Sequence, residues 1–542
     1  MKLVHTYTTR TCISLQRFHL KLQFTRSYVS GGKSGDSTSN DAKPPRLHYE
    51  SDWMKSFNIW YNEICNYDDG DKIAQDNFLK YVLPWYHSKE LVETSRQNIR
   101  AFNVQTTLSK YKEQNTTDKD QWYLNEIRVE KGNPEAVDVQ HLVLLHGYGA
   151  SSGWFYKNFQ GIIENSSKVN NLSIHGLDMI GFGLSGRPYV RFKHDLDTSG
   201  SLNIKTEGIK WGKFSTCSKC GGHLDGKKSK ELHWCDCSAE EEDLRKGTEE
   251  GKARIIVSKS DIVDYLNNHQ ELIDEVEDVY IETLEQWRIE NGIEKFDLVA
   301  HSLGGYLGMA YCLKHPDRVN KIVMVSPGGV ERSPFAITNP EYQEIYKKND
   351  RNGEIVIPVS NHVQDYGFLG RYGFITKTFR DLWNMRFSVL TFLRWLGPFG
   401  PKFLIDRNAD KLTRSGNIQD INEIDLFLKY IYSCSVRASF SETSITRLFD
   451  ATVVGKTPIL DKLEKFGDRL KDKNMLWVYG EHDFMYKECG VESIKVMEKH
   501  LKGQSEETQG TQRMTLINNA GHNMYLDNSA AFNKAIVEFF RY

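Results

Sequence analysis

The sequence has no apolar run near the roughly 20 residues that a membrane-spanning helix requires, so any membrane role points to the periphery. It has almost no net charge, formally −2, which removes any global electrostatic attraction to nucleic acid. No nucleic-acid partner is expected. Nor is there an acidic residue before Asp36. Of the nine cysteines, four crowd between Cys217 and Cys237. A secreted, disulfide-stapled chain would space them more evenly. No internal repeat is visible. What is present is a globular composition, 39% hydrophobic and 26% charged.

The first thirty residues carry Lys2, Arg10, Arg17, Lys21 and Arg26, many hydroxyls, and interleaved Leu15, Phe18, Leu20, Leu22 and Phe24. A basic, hydroxylated, acid-poor and potentially amphipathic leader is the composition of a mitochondrial transit peptide. Residues 1–45 are therefore expected to be a transit peptide and linker. Short apolar runs beyond it read as buried strands: Tyr123 to Val129, His141 to Leu145, Leu172 to Leu177, Phe296 to Ala300, Lys321 to Val325, Met475 to Tyr479 and Met514 to Ile517. An alternating run from Phe102 to Tyr111 suits an edge strand. Helical patterns at Ile262 to Asn291 and Leu303 to His315 separate the later strands. Such alternation predicts an α/β fold with a mostly parallel central sheet covered by helices. Two stretches break it, a polar insertion at about 192–260 and a helical, aromatic cap at 332–450. The sheet domain is then 46–331 and 451–542.

Four motifs carry chemistry. Phe296-Asp-Leu-Val-Ala-His-Ser-Leu-Gly-Gly305 reads as strand, tight turn and helix, with Ser302 exposed at the turn above the helix N-terminus. The usual G-x-S-x-G is altered at its first position to Ala300, a residue still small enough for a strained turn. Upstream, Leu142-Val-Leu-Leu-His-Gly-Tyr-Gly-Ala150 is a strand ending in a loop that would supply an oxyanion donor. The backbone amides of Tyr148 and Leu303 are the expected pair. Asp178, after the Leu172–Leu177 strand, is expected to be a structural loop residue. Downstream, Met475-Leu-Trp-Val-Tyr-Gly-Glu-His-Asp483 ends a strand in an acid, and Asn518-Asn-Ala-Gly-His522 follows the last strand. The order Ser, Asp, His is that of α/β hydrolases, which makes Ser302 the nucleophile, His522 the base and Asp483 the orienting acid, with Glu481 as rival.

Further residues carry a resemblance. His522-Asn-Met-Tyr-Leu-Asp527 has the H-x4-D form, Gly397-Pro-Phe-Gly-Pro401 lies in the cap, and Tyr430-Ile-Tyr-Ser-Cys434 precedes Ser441-Glu-Thr443. Together they resemble the lipid-acting branch of α/β hydrolases that holds a lipase coactivator, an N-acyl-phospholipid hydrolase and a fungal mitochondrial cardiolipin-specific deacylase. The resemblance implies a phospholipid substrate, and the basic leader favours the mitochondrial deacylase. It also implies an active hydrolase, because the coactivator has asparagine where this chain has Ser302. In this branch the H-x4-D motif, here His522 and Asp527, is linked to lysophosphatidic acid acyltransferase activity. That activity and a non-catalytic lipid-binding coactivator are the alternatives.

Two regions add expectations. Phe368, Tyr372, Phe374, Phe379, Trp383, Phe387, Phe392, Trp395 and Phe399 are interspersed with Arg371, Lys377, Arg380, Arg386 and Arg394. A basic, aromatic, amphipathic stretch suits the interface of an anionic membrane, or a cap burying its aromatic side on the sheet domain. Peripheral association with the mitochondrial inner membrane, on the matrix side, follows as an expectation. Cys217, Cys220, Cys235 and Cys237 would be the ligands of a structural zinc stapling the polar insertion. No cofactor is expected for catalysis.

Overall fold

The computed structural model of the protein describes residues 52–86, 92–94, 97–114, 118–195, 205–207, 254–332, 350–351, 353–358, 377–414, 417–502 and 510–542, with positions 49, 336 and 338. The basic leader, the four clustered cysteines, and Phe368, Arg371, Tyr372 and Phe374 of the cap lie outside the described residues. The chain forms two compact units. The smaller takes the chain up to Phe78 with Leu393–Ser433, and the larger takes Leu79–Phe392 with Cys434–Tyr542.

The larger unit is built on a nine-stranded sheet. Its strands are β1 Val92–Thr94, β2 Gln97–Thr107, β3 Tyr123–Lys131, β4 Gln140–Leu145 and β5 Leu172–Leu177. After the small strands β6 Lys205–Glu207 and β7 Arg254–Ser258 come β8 Phe296–His301 and β9 Val319–Val325. The pair β10 Asp350–Arg351 and β11 Glu354–Pro358 precedes β12 Asn474–Gly480 and β13 Gln512–Ile517. The sheet order is β1-β2-β3-β5-β4-β8-β9-β12-β13. The first four strands in that order pair antiparallel, and every later neighbour is parallel. Parallel strands covered on both faces are rich in apolar residues, and every residue of β5 and β8 is buried, the polar Ser173, His175, Asp297 and His301 included. The helix Lys259–Glu290 lays Leu272, Ile273, Val276, Tyr280, Leu284 and Trp287 into the core shared with β8 and the helix Leu303–Lys314.

Two expectations need correction. The alternating segment is a strand over 97–107 and lies second from the edge, because the three-residue β1 pairs outside it. Ser109–Gln114, which overlaps the end of the expected strand, is helical. The polar insertion and the cap also contain strand. β11 and β7 pair in full register, Ile355 with Val257 and Val356 with Ile256, in a separate four-stranded antiparallel sheet of order β10-β11-β7-β6.

In the smaller unit, the helix Trp53–Cys65 begins at Asp52, whose carboxylate accepts from the Lys55 amide at 2.6 Å. This helix has an inverted face. It buries Ser56, Ile59 and Glu63 and leaves Trp53, Met54 and Phe57 exposed at 56, 60 and 40%. The polar side is tied inward by hydrogen bonds. The Ser56 hydroxyl donates to the Pro398 carbonyl at 2.8 Å, and Glu63 accepts from the Ser433 hydroxyl at 2.6 Å.

Candidate active site

The site lies at the carboxyl ends of β4, β8, β9, β12 and β13, where loops of parallel sheets collect side chains. Ser302 follows β8 with φ 54° and ψ −117°, a backbone state that persists only when its surroundings impose it. They do so through three backbone hydrogen bonds. The Ser302 amide donates to Val325 O at 3.1 Å, and its carbonyl accepts from the Tyr306 and Gly328 amides at 3.1 and 2.9 Å.

Small residues make this turn possible. A Cβ on Gly304 would stand 2.4 Å from the His146 carbonyl oxygen, and one on Gly305 2.8 Å from Pro327 Cβ. Ala300, where the motif usually has glycine, faces Gly308, whose missing side chain leaves room for the methyl. Gly304→Ala is therefore expected to destabilise the protein by about 3 kcal/mol, since the obstructing atom is backbone. Denaturant unfolding checks this, and a wild-type midpoint would contradict the packing account.

His522 follows β13 and is held from several sides. The Gly521 amide donates to Asp527 Oδ2 at 2.8 Å, and the His522 carbonyl accepts from His301 Nε2 at 3.0 Å. The Phe484 ring centroid lies 4.4 Å from the imidazole. Nε2 is 3.1 Å from Ser302 Oγ, and Nδ1 is 3.1 Å from Asp483 Oδ1. The acceptor at Nδ1 assigns the proton there and leaves Nε2 to accept from Ser302.

The Asp483 side chain is 1% exposed. Burial pushes its carboxyl upward. The charge and hydrogen bond of His522, the Ser326 hydroxyl and the Met485 amide outweigh that and hold it below the ordinary aspartate value. Glu481 points elsewhere, accepting from the Asn519 amide at 2.7 Å.

The loop after β4 is braced by His146, whose Nδ1–H donates to Gly147 O at 2.8 Å while Nε2 accepts from the Met179 amide at 3.0 Å. Gly147 packs on the turn so closely that a Cβ there would be 2.9 Å from Ser302 Cβ. Tyr148 is the next residue, and its hydroxyl donates to Glu442 O at 2.9 Å. Leu303 opens the helix that follows Ser302, where amides have no intrahelical acceptor. Asp178 accepts from the Ser152 and Leu184 amides and Asn125 Nδ2 at 2.6, 2.8 and 2.9 Å, so its carboxylate is occupied in holding loops.

Asp527 binds the backbone beside His522 through the Gly521 amide. Ser326 was not singled out in the sequence. It follows β9 as an ordinary Ser-Pro-Gly, yet its hydroxyl lies 2.9 Å from His522 Nδ1. Only the spatial adjacency of β9 and β12 reveals it. Among the described residues, no group of three or more His, Cys, Asp and Glu side chains is arranged to hold a metal ion.

Strand order and strained turn define the class: this is an α/β-hydrolase-fold protein. The family profile described as "alpha/beta hydrolase fold" matches residues 140–357. By sequence the chain is similar to lipid-acting proteins. It is similar to Protein ECM18 of Saccharomyces cerevisiae, 26% identical over 73% of this chain and 70% of that one. It is also similar to the 1-acylglycerol-3-phosphate O-acyltransferase ICT1 of the same organism, 23% identical over 73% of this chain and 81% of that one. The human (Lyso)-N-acylphosphatidylethanolamine lipase is 27% identical over 48% of this chain and 63% of that one.

Proposed function

We propose that the protein is a serine hydrolase that removes a fatty acyl chain from a phospholipid, most specifically converting cardiolipin to monolysocardiolipin. The observation that carries the hydrolase reading is the hydrogen-bonded chain from Ser302 Oγ through His522 to Asp483. In this mechanism the Ser302 hydroxyl proton passes to His522 Nε2 as Oγ bonds to the ester carbonyl carbon. The carbonyl π pair moves onto oxygen, which the Tyr148 and Leu303 amides receive. Collapse expels the glycerol oxygen, which takes the proton from His522 and leaves an acyl-Ser302 ester. Water, deprotonated by His522, attacks that ester and releases the fatty acid. Asp483 stabilises the imidazolium throughout.

A second reading has its own support. A lysophosphatidic acid hydroxyl could resolve the acyl-enzyme in place of water, which fits the acyltransferase name of a relative matched over 81% of its length. Both readings share every residue up to the acyl-enzyme and differ in the acceptor.

Peripheral binding to an anionic membrane is part of the proposal. It is supported by the exposed Trp53, Met54 and Phe57, and by Phe379, Phe392, Trp395 and Phe399 farther along the chain. Trp383, by contrast, is buried, and its indole N–H donates to Phe449 O at 3.2 Å. The composition of the leader supports a mitochondrial location, with the inner membrane as the proposed surface.

The test incubates leader-free protein with cardiolipin, phosphatidylethanolamine and phosphatidylcholine vesicles, and in parallel with acyl-CoA and lysophosphatidic acid, reading products by mass spectrometry. Ser302-dependent release of monolysocardiolipin is the expected result. Acyl transfer without hydrolysis establishes the second reading. No Ser302-dependent product in either arm overturns both.

A further inference from the structure

A buried cluster of charges lies outside the triad. Asp195 accepts from Arg386 Nη2 at 3.2 Å and from Arg447 Nε at 3.1 Å, and Arg447 Nη2 donates to it as well. The Thr446 carbonyl brings a third cation to the pair, accepting from Arg386 Nη1 at 3.0 Å and from Lys456 Nζ at 3.1 Å. His269 adds no charge, because burial pushes its imidazole down to about 3. Asp450 acts on Lys456 through its field alone, while its carboxylate accepts from the Thr452 and Val454 amides at 2.8 and 3.3 Å. Three cationic side chains therefore gather around the carboxylate of Asp195.

These charges do not balance. Lys456 is 8% exposed, and among the described residues no carboxylate is in ion-pair contact with it. Burial, and next the charge of Arg386, push its ammonium down to about 7. Buried charges are normally paired, so the cluster is short of an anion. Asp195 is also its outermost carboxylate or guanidinium, with 22% of the side chain exposed against 17 and 11% for Arg386 and Arg447. The arginines have anchors of their own. Arg386 is held by Thr446 O, and Arg447 by Thr443 Oγ1 at 2.8 Å and by the Phe192 ring, 5.1 Å from its guanidinium carbon. The cluster is tied to the catalytic centre by one helix, Ser441–Leu448. Glu442 accepts from the Tyr148 hydroxyl, and Arg447 follows five residues on, a rise of about 7.5 Å.

We propose that Arg386, Arg447 and Lys456 form a phosphate-binding site, and that Asp195 occupies it as an internal stand-in until a phosphate group displaces its carboxylate. The two guanidiniums offer forked N–H pairs, the geometry that suits phosphate oxygens. Lys456 supplies a third positive charge, which a phosphate beside it would stabilise. Asp195 turns outward as the anion enters. The phosphate comes from a lipid headgroup or from free phosphate. The headgroup source rests on the reading of the protein as a phospholipid hydrolase, and the site itself does not.

The test titrates the full chain with inorganic phosphate and with glycerol 3-phosphate by calorimetry. It compares wild type, Asp195→Asn, and Lys456→Met in both backgrounds, each with a thermal melt. Asp195→Asn should bind phosphate at least about tenfold more tightly than wild type, because a tethered competitor at high effective concentration is gone. Lys456→Met should weaken binding about tenfold, the scale of one hydrogen bond to a charged group. A folded Asp195→Asn that binds no more tightly than wild type overturns the proposal. So does equal affinity with and without Lys456, which decides the matter alone if Asp195→Asn does not fold. The source is read on wild-type turnover. Glycerol 3-phosphate that competes with cardiolipin vesicles and leaves p-nitrophenyl butyrate hydrolysis unchanged upholds the site as one for a headgroup. Inorganic phosphate that alters turnover of both esters alike upholds it as one for free phosphate. Phosphate binding as expected, in a protein that cleaves no phospholipid, overturns the phospholipid reading and leaves the site standing.

Discussion

Ser302→Ala should lower ester hydrolysis by about 10⁶-fold while leaving the thermal midpoint within a degree or two. The size follows from the loss of the group proposed to form the acyl-enzyme, the scale seen when a triad nucleophile is removed. The small change in stability follows from the contacts. The strained turn at Ser302 is held by backbone hydrogen bonds to Val325, Tyr306 and Gly328, and alanine keeps all three. The hydroxyl itself contacts His522 Nε2 at 3.1 Å. An active Ser302→Ala enzyme would remove the acyl-enzyme from the mechanism. An unfolded one would mean that the hydroxyl holds the turn together.

Asp483→Asn should cost about 10⁴-fold, through the tautomer of His522 rather than its place. The carboxylate only accepts, so the Nδ1 it faces must carry the proton and Nε2 must be free to accept from Ser302. An asparagine amide turned toward Nδ1 donates instead, which reverses both nitrogens. Glu481→Gln should change activity by no more than about twofold, because Glu481 serves the Asn519 amide. Equal losses in the two variants would mean that the acid has been assigned to the wrong residue.

Asp483 also links stability to pH. Its carboxyl is held below the ordinary aspartate value, so its contribution is fully present above that value and is lost as pH falls through the lower, folded one. Wild type should accordingly be more stable than Asp483→Asn at neutral pH, and the two melting curves should converge in strong acid. A difference that stays constant with pH would contradict the linkage.

The parts of this fold that are legible in sequence are those where one physical demand dominates. Strands buried on both faces are rich in apolar residues, which is why Leu172–Leu177 and Phe296–His301 stand out without any partner being known, although they also bury Ser173, His175, Asp297 and His301. Ser302 and Asp483 sit just past buried strands and His522 past the partly exposed edge strand β13, so reading the strands locates the turns. The three side chains named by motif order are the ones brought into one hydrogen-bonded chain.

Other features depend on pairings that local pattern does not encode. β2 looks like an edge strand until the short Val92–Thr94 is found outside it. Glu354–Pro358 and Arg254–Ser258 are brief and lie in stretches whose sequence reads as helical or polar. Their strand character comes from each other across a long stretch of chain. The helix Trp53–Cys65 reverses the usual rule by burying Ser56 and Glu63 beneath exposed Trp53 and Phe57, so an amphipathic reading would turn it inside out. Ser326 is the clearest case. Nothing in Val-Ser-Pro-Gly distinguishes a turn serine from one that touches the base, until β9 and β12 are laid side by side.

The central claim is that Ser302 is an activated nucleophile. Its most direct test is to treat the protein with a fluorophosphonate probe and locate the adduct by peptide mass spectrometry. The expected result is one adduct on Ser302, absent in His522→Ala. An adduct on another serine, or none on protein that is folded by its melting curve, would contradict the account.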